Sequence, residues 1–123
     1  MHLAVAGLAR RGVNVVNEHI FLERRWLRDA LEAYAELPVL FVGVRCSHEE
    51  LVRREEARER SVPSSGHSAR QFHKLGDLHK ANMYDMAFDT TEVSPEEAAA
   101  EIRRRLETAR PAPLGRLRGS SLL

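Results

Sequence analysis

Cysteine is almost absent: Cys46 is the single thiol in 123 residues. One thiol cannot build an internal disulfide framework, and such usage fits a reducing compartment, so the expected location is cytoplasmic. Long apolar runs are missing too. Nowhere do about 18 apolar residues follow one another, so no segment reads as a membrane span. Aromatics make up 6% of the chain, and 19 Lys+Arg against 18 Asp+Glu leave a net charge of +1. A supercharged nucleic-acid or membrane binder is thereby excluded, and an arginine-rich nucleic-acid binder ranks last among the readings, because no aromatic lies among Arg53 to Arg60. Met1 to Gly12 is too short, and its charges are wrongly ordered, for a secretory leader. The six histidines contain no pair with zinc-ligand spacing. Gly7 and Gly12 have the spacing of a phosphate loop, but Val13-Asn14 follows where Lys-Ser/Thr is required. Ser64 and Ser65 lack the flanking glycines of a nucleophile elbow.

What is present is a globular composition, 43% hydrophobic and 30% charged, long enough for one core. The first residues read as the end of a helix. They are rich in Ala and Leu, carry Arg10 and Arg11 in the last turn, and meet Gly12 as a C-terminal stop. Val13-Asn14-Val15-Val16 is a β-branched run that predicts a short strand. Leu22, Trp26, Leu27, Ala30, Leu31, Tyr34 and Leu37 follow the helical period and predict a helix over 22–37, ended by Pro38. Val39 to Val44 is continuously apolar, as in a strand covered on both faces. Ser47-His48-Glu49-Glu50 is a capping box opening a highly charged helix over 48–60, with Glu49–Arg53 and Glu50–Arg54 spaced for ion pairs. Residues 61–66 have loop chemistry, 68–80 predict a weaker helix, and Met86 to Phe88 a short strand. Ser94-Pro95-Glu96-Glu97 is a second capping box, heading a helix that turns Ala98, Ala99, Ile102 and Leu106 inward. Residues 109–123 read as a disordered Pro, Gly and Arg tail. Strands alternating with helices predict an α/β fold with a mostly parallel sheet of about three strands.

Two clusters have chemical potential. Arg53, Arg54, Arg58, Arg60 and Arg70 concentrate guanidinium groups, which grip phosphate oxygens with paired hydrogen bonds. Their alternative reading is a solvated face, since glutamates lie between them. Asn17 and Glu18 would lie at the carboxyl end of the 13–16 strand, the edge where open α/β sheets bind ligands. There Glu18 could hold a metal-bound water. Cys46, at the end of a core strand, reads as a small buried residue.

Several stretches resemble one family. Val15-Val16-Asn17-Glu18-His19-Ile20-Phe21-Leu22 is similar to the strand and turn of chloramphenicol phosphotransferase-like proteins, and Val42-Gly43-Val44-Arg45-Cys46 to the strand that follows. Arg54-Glu55-Glu56-Ala57-Arg58 resembles the opening of the family's lid. His79, Tyr84-Asp85 and the run Asp89 to Glu97 resemble its closing segment. The resemblance covers roughly residues 1–108 and implies a P-loop kinase-like, three-layer fold. Its members use ATP and Mg²⁺ to phosphorylate a small hydroxyl compound, in the type member an antibiotic. By this resemblance a lid spans about residues 53–72, Arg54, Arg58 and Arg60 clamp the nucleotide phosphates, and Glu18 assists Mg²⁺ through water. Asn17 stands where the family has an acidic residue.

No counterpart of the family's first strand, its Walker A loop or its catalytic aspartate is found in these residues. The expectation is therefore a phosphotransferase that is incomplete and inactive as given, with no tight binding of ATP or Mg²⁺. The alternative is a non-enzymatic remnant, or a partner-dependent half, with an open sheet edge for self-association. No nucleic-acid or membrane partner is expected. Apolar anchors are few at 48–60 and many at 22–37. Amide hydrogen exchange is therefore expected to be faster in the first segment than in the second; equal protection would show that the packed face of the charged helix has been misassigned.

Overall fold

A computed structural model of the chain describes residues 1–21, 23–61, 84–109, 111 and 113, with the side chains of 59–61 outside the description. Leu22, the expected loop beyond Ser61, the expected helix at 68–80 and nearly all of the 109–123 tail lie outside these residues. The described elements run α1 (His2–Arg10), α2 (Arg24–Ala33), β1 (Val42–Arg45), α3 (His48–Ser61), β2 (Met86–Asp89) and α4 (Pro95–Thr108). The class is α/β, as expected. The chain divides into two units, Met1–Leu40 with Leu106–Leu123, and Phe41–Arg105.

In the first unit α1 ends as its sequence predicts. Gly12 takes φ +85°, a left-handed conformation that glycine adopts without strain. It donates its N–H to Ala9 O at 3.0 Å, and Val13 donates to Leu8 O at 3.2 Å. These two bonds are the Schellman pattern, and they satisfy carbonyls that a helix end otherwise leaves open. Ala6 is fully buried in α1, and Leu27, Ala30, Leu31 and Ala33 are buried along α2. Arg10 donates from Nη2 to Ala33 O at 3.0 Å and joins the two helix ends. Burying Leu27 and Leu31 contributes about 1.5–3 kcal/mol each. Helix α2 is shorter than its periodicity predicts. Ahead of Pro38 the chain tightens, with Leu37 N–H on Tyr34 O at 2.9 Å, an i to i+3 bond that ends the α-helical pattern. Tyr34, Ala35 and Leu37 remain buried beyond it, so the apolar stripe persists past the helix itself.

The strand expected at Val13–Val16 does not form. Residues 13–20 have no regular structure, and Val16 is fully exposed. β-Branched residues favour a paired and packed surface and do not by themselves impose a strand. No described strand pairs with this run; Asn17 Nδ2 instead donates to the Tyr34 hydroxyl at 3.2 Å. Beyond it the chain enters an aromatic group. His19 stacks on Phe21 at 4.5 Å and lies 5.9 Å from Trp26, while His2 meets Tyr34 edge-on at 5.9 Å. Burial pushes the Tyr34 hydroxyl above its usual range.

In the second unit β1 and β2 pair in parallel, Val42 with Met86 through Arg45 with Asp89. The sheet of the described residues has two strands, not about three. Strand β1 is also shorter than the apolar run 39–44 implied, and it is not covered on both faces: Val44 is 67% exposed. Asp85 starts the pairing by donating its N–H to Phe41 O at 2.8 Å and accepting Phe41 N–H on Oδ2 at 2.9 Å. The Tyr84 ring, 5.0 Å from Phe41, lies against Gly43. Helix α4 opens with both halves of its capping box. Glu97 N–H donates to Ser94 Oγ at 3.2 Å, and Ser94 N–H donates to Glu97 Oε2 at 2.9 Å. Its inward face is weaker than expected, because α4 buries no residue fully and Ala99 and Leu106 are exposed.

Three glycines separate space from backbone strain. A Cβ on Gly43 would meet Tyr84 ring carbons at 2.7–2.9 Å, so Gly43→Ala is expected to lose about 1–3 kcal/mol through overpacking. Gly12→Ala is expected to lose about 1 kcal/mol from its positive φ. Gly7, inside α1, has nothing within 4 Å of such a Cβ, so Gly7→Ala is expected to gain roughly 0.5–1 kcal/mol in helix propensity. Thermal melts of the three variants check the order, and a Gly43→Ala variant as stable as Gly7→Ala would refute the Tyr84 contact.

Candidate functional site

The carboxyl end of the β1–β2 pair is where polar side chains converge. Both strands stop in register at Arg45 and Asp89. After β1 the chain needs only Cys46 and Ser47 to enter α3, and after β2 it turns at once through Thr90 and Thr91. Thr90 donates its N–H to Arg45 O at 2.7 Å and its hydroxyl to the same oxygen at 2.9 Å. Ser47 donates its N–H to Thr91 Oγ1 at 2.8 Å. The turn is braced from within, since Thr91 N–H donates to Asp89 Oδ1 at 2.9 Å. Thr91's hydroxyl and amide, more than any ion pair, lower the Asp89 carboxyl below its usual range.

Helix α3 is tied to this turn by Arg54. Its Nη1 donates to Thr90 Oγ1 at 3.0 Å, its Nη2 to Thr90 O at 2.5 Å and its Nε to Glu50 Oε1 at 2.6 Å. Arg53 grips the same carboxylate through Nε and Nη2, both at 2.6 Å. Two arginines on one carboxylate hold Glu50 down to about 2. Glu50→Arg54 pairing was expected from spacing, but Arg53 pairs with Glu50 at i,i+3 and not with Glu49 at i,i+4. The capping box at Ser47 is half made: Glu50 N–H donates to Ser47 Oγ at 3.2 Å, while the Glu50 side chain turns forward to the arginines. Two cations outcompete one backbone amide for the carboxylate.

The expected site residues are therefore distributed as follows. Arg54 sits at the sheet's carboxyl end. Arg58, one turn further along α3, is exposed and has no hydrogen-bond or ion-pair partner among the described residues. Arg60 is on α3, with its side chain outside the description, and Arg70 and His79 lie outside the described residues. The lid expected at 53–72 is described only as far as Ser61. Glu18 is exposed in the irregular stretch of the first unit. Its expected place at a strand end is corrected, because that strand is absent. Cys46 is half-buried and free. Among the described residues, no three His, Cys, Asp or Glu side chains gather to hold a metal, and no helix is long and apolar enough to cross a membrane.

Sequence reasoning overlooked Glu50 as a hub and Thr90 as a receptor. The signal for Glu50 was present, since it lies both i−3 to Arg53 and i−4 to Arg54. Thr90 carried no signal, because its partner is 36 residues away and only the strand register brings them together.

The family model described as "Chloramphenicol phosphotransferase-like protein" matches residues 1–107. Two curated proteins, from two strains of Mycobacterium tuberculosis and each named a "Putative O-phosphotransferase", are 32% identical over 112 residues. The match covers 90% of this chain and 47% of each relative, so the chain spans about half the length of the curated relatives it matches. No solved structure matches it significantly.

The Glu50 cluster predicts a pH signature. A carboxyl lowered on folding adds stability that is fully present above its unfolded value, 4.5, and is lost as pH falls toward its folded value of about 2. Melts of the chain and of Glu50→Gln should therefore differ at neutral pH and converge between 4.5 and about 2. A difference that persists unchanged to the acid limit would show that Glu50 does not carry the two arginines.

Proposed function

The chain belongs to the chloramphenicol phosphotransferase-like family, and from that premise we propose that it carries the phosphate-gripping helix of an ATP-dependent kinase of P-loop type. Family and relatives alike indicate a phosphotransferase-like function. The proposed reaction moves the γ-phosphoryl group of ATP to a hydroxyl of a small molecule, in the cytoplasm. In this reading residues 1–108 are the C-terminal part of a P-loop kinase-like domain.

One observation supports this reading above the others: an arginine-bearing helix follows the carboxyl end of a parallel strand pair after a link of two residues. Ligands in open α/β sheets bind at that edge, and phosphoryl transfer depends chiefly on positioning and on neutralising phosphate charge. Guanidinium groups do both through fixed, paired N–H donors. In this reading the α3 arginines Arg54, Arg58 and Arg60 make the helix a phosphate grip, whether by touching the nucleotide phosphates or by holding the helix in place. Mg²⁺, when bound, would supply neutralisation of phosphate charge. Glu18 is a single exposed carboxylate, and no three metal-ligating side chains gather among the described residues; in this reading it assists through water.

A second reading is supported by the exposed Val13, Val15 and Val16. In it the chain is a partner-dependent binding half, and those valines meet a further segment.

Calorimetric titration with Mg-ATP tests the first reading. The chain by itself should bind with a dissociation constant no tighter than about 1 mM, near −4 kcal/mol. Binding should weaken as ionic strength rises, because exposed guanidinium–phosphate attraction is screened beyond roughly 10 Å at 0.1 M salt. Low-micromolar affinity would show a complete phosphate cradle within these residues, and affinity indifferent to salt would remove the arginines from the reading.

A further inference from the structure

The three arginines expected to act alike on α3 are not equivalent. Arg54 has all three guanidinium nitrogens engaged: Nε on Glu50, Nη1 on the Thr90 hydroxyl and Nη2 on the Thr90 carbonyl. A guanidinium offers a phosphate two parallel N–H groups from one edge, either Nε with an Nη or the two Nη together. Each of those edges on Arg54 already carries protein bonds. Arg58 is four residues on, thus on the same face of the helix, exposed, and without a partner among the described residues.

We infer that Arg54 is a positioning residue that clasps α3 to the Asp89–Thr91 turn, and that Arg58 is a guanidinium this helix presents to phosphate. The second half rests on the reading of α3 as a phosphate-gripping helix; the clasp does not. Its chain of contacts is continuous. Arg54 holds Thr90, whose hydroxyl donates to Arg45 O at the end of β1. Thr91 receives the Ser47 N–H at the start of α3. Both the entrance and the second turn of α3 are thus fastened to the turn after β2. Releasing Arg54 to a ligand would break three bonds at once, whereas Arg58 breaks none.

The clasp has a coupling signature. Hydrogen exchange of α3 amides is measured in the full 123-residue chain. Arg54→Ala should raise exchange over 48–56 about tenfold, the effect of one charge-assisted hydrogen bond of roughly 1.5 kcal/mol. Thr90→Val keeps the carbonyl and loses the hydroxyl, so it should raise exchange less. The double variant should be no faster than Arg54→Ala alone. Arg54→Lys, with one ammonium for two receptors, should restore part of the protection. Arg58→Ala should leave exchange unchanged.

Inorganic tripolyphosphate titrated into the same variants reads the second half. Arg58→Ala should weaken its binding, and Arg54→Ala should weaken it only while Arg58 is present. Unchanged exchange in Arg54→Ala overturns the clasp. Independent, additive losses from the two arginines overturn the division of roles and make Arg54 a phosphate ligand. A chain that binds no tripolyphosphate overturns the phosphate reading of α3 and of Arg58, while the exchange result still decides the clasp.

Discussion

Four paired residues on each strand, Val42–Arg45 and Met86–Asp89, place every group of the second unit that bears on chemistry. A parallel ladder brings strand ends of one sense to the same edge. Here that edge receives the start of α3 from β1 and a threonine turn from β2. Because the register pairs Arg45 with Asp89, Thr90 falls beside the last β1 carbonyl and closes the ladder with two bonds to one oxygen. A slip of one residue would move Thr90 away from both Arg45 O and Arg54, and it would exchange the faces of Val44 and Gly43. Tyr84 guards against that slip, since its ring lies where any side chain at position 43 would point.

Charge in this unit is arranged by competition for few acceptors. Glu50 is offered a backbone amide by the capping-box geometry and two guanidinium groups by helical spacing. It takes the guanidinium groups, and Ser47 is left to cap α3 alone. Glu97, with no arginine one turn ahead, closes its capping box fully. The same sequence signal thus ends in two structures, separated by what stands at i+3 and i+4.

The first unit is held by different means. Helix α1 stops at a glycine whose conformation is left-handed, and Arg10 and Ala33 join the two helix ends. His2, His19, Phe21, Trp26 and Tyr34 then fill the space that the irregular stretch leaves. Two ring nitrogens in this group, His2 Nε2 and His19 Nδ1, are buried without a hydrogen-bond partner. Burial, with His19 nearby, lowers the His2 imidazole below its usual range, which favours its neutral form among these rings.

Local chemistry was sufficient for the features that need only neighbours in sequence. Gly12 as a helix stop, the apolar stripe of α2, both Ser-headed helix starts and the Glu50–Arg54 pair were legible, because each depends on residues within one or two turns. The family was legible too, from short runs in a fixed order. Tertiary structure decided whatever requires a partner far along the chain. Val13–Val16 has strand propensity, yet a strand exists only by pairing, and no described strand pairs with it. Val44 was expected under cover and is exposed, because continuous apolarity says nothing of how many faces find a neighbour. Arg54 and Arg58 share a face and a spacing, and sequence treats them alike. The register of two strands 44 residues apart hands one of them a threonine turn to hold and leaves the other free of any described partner.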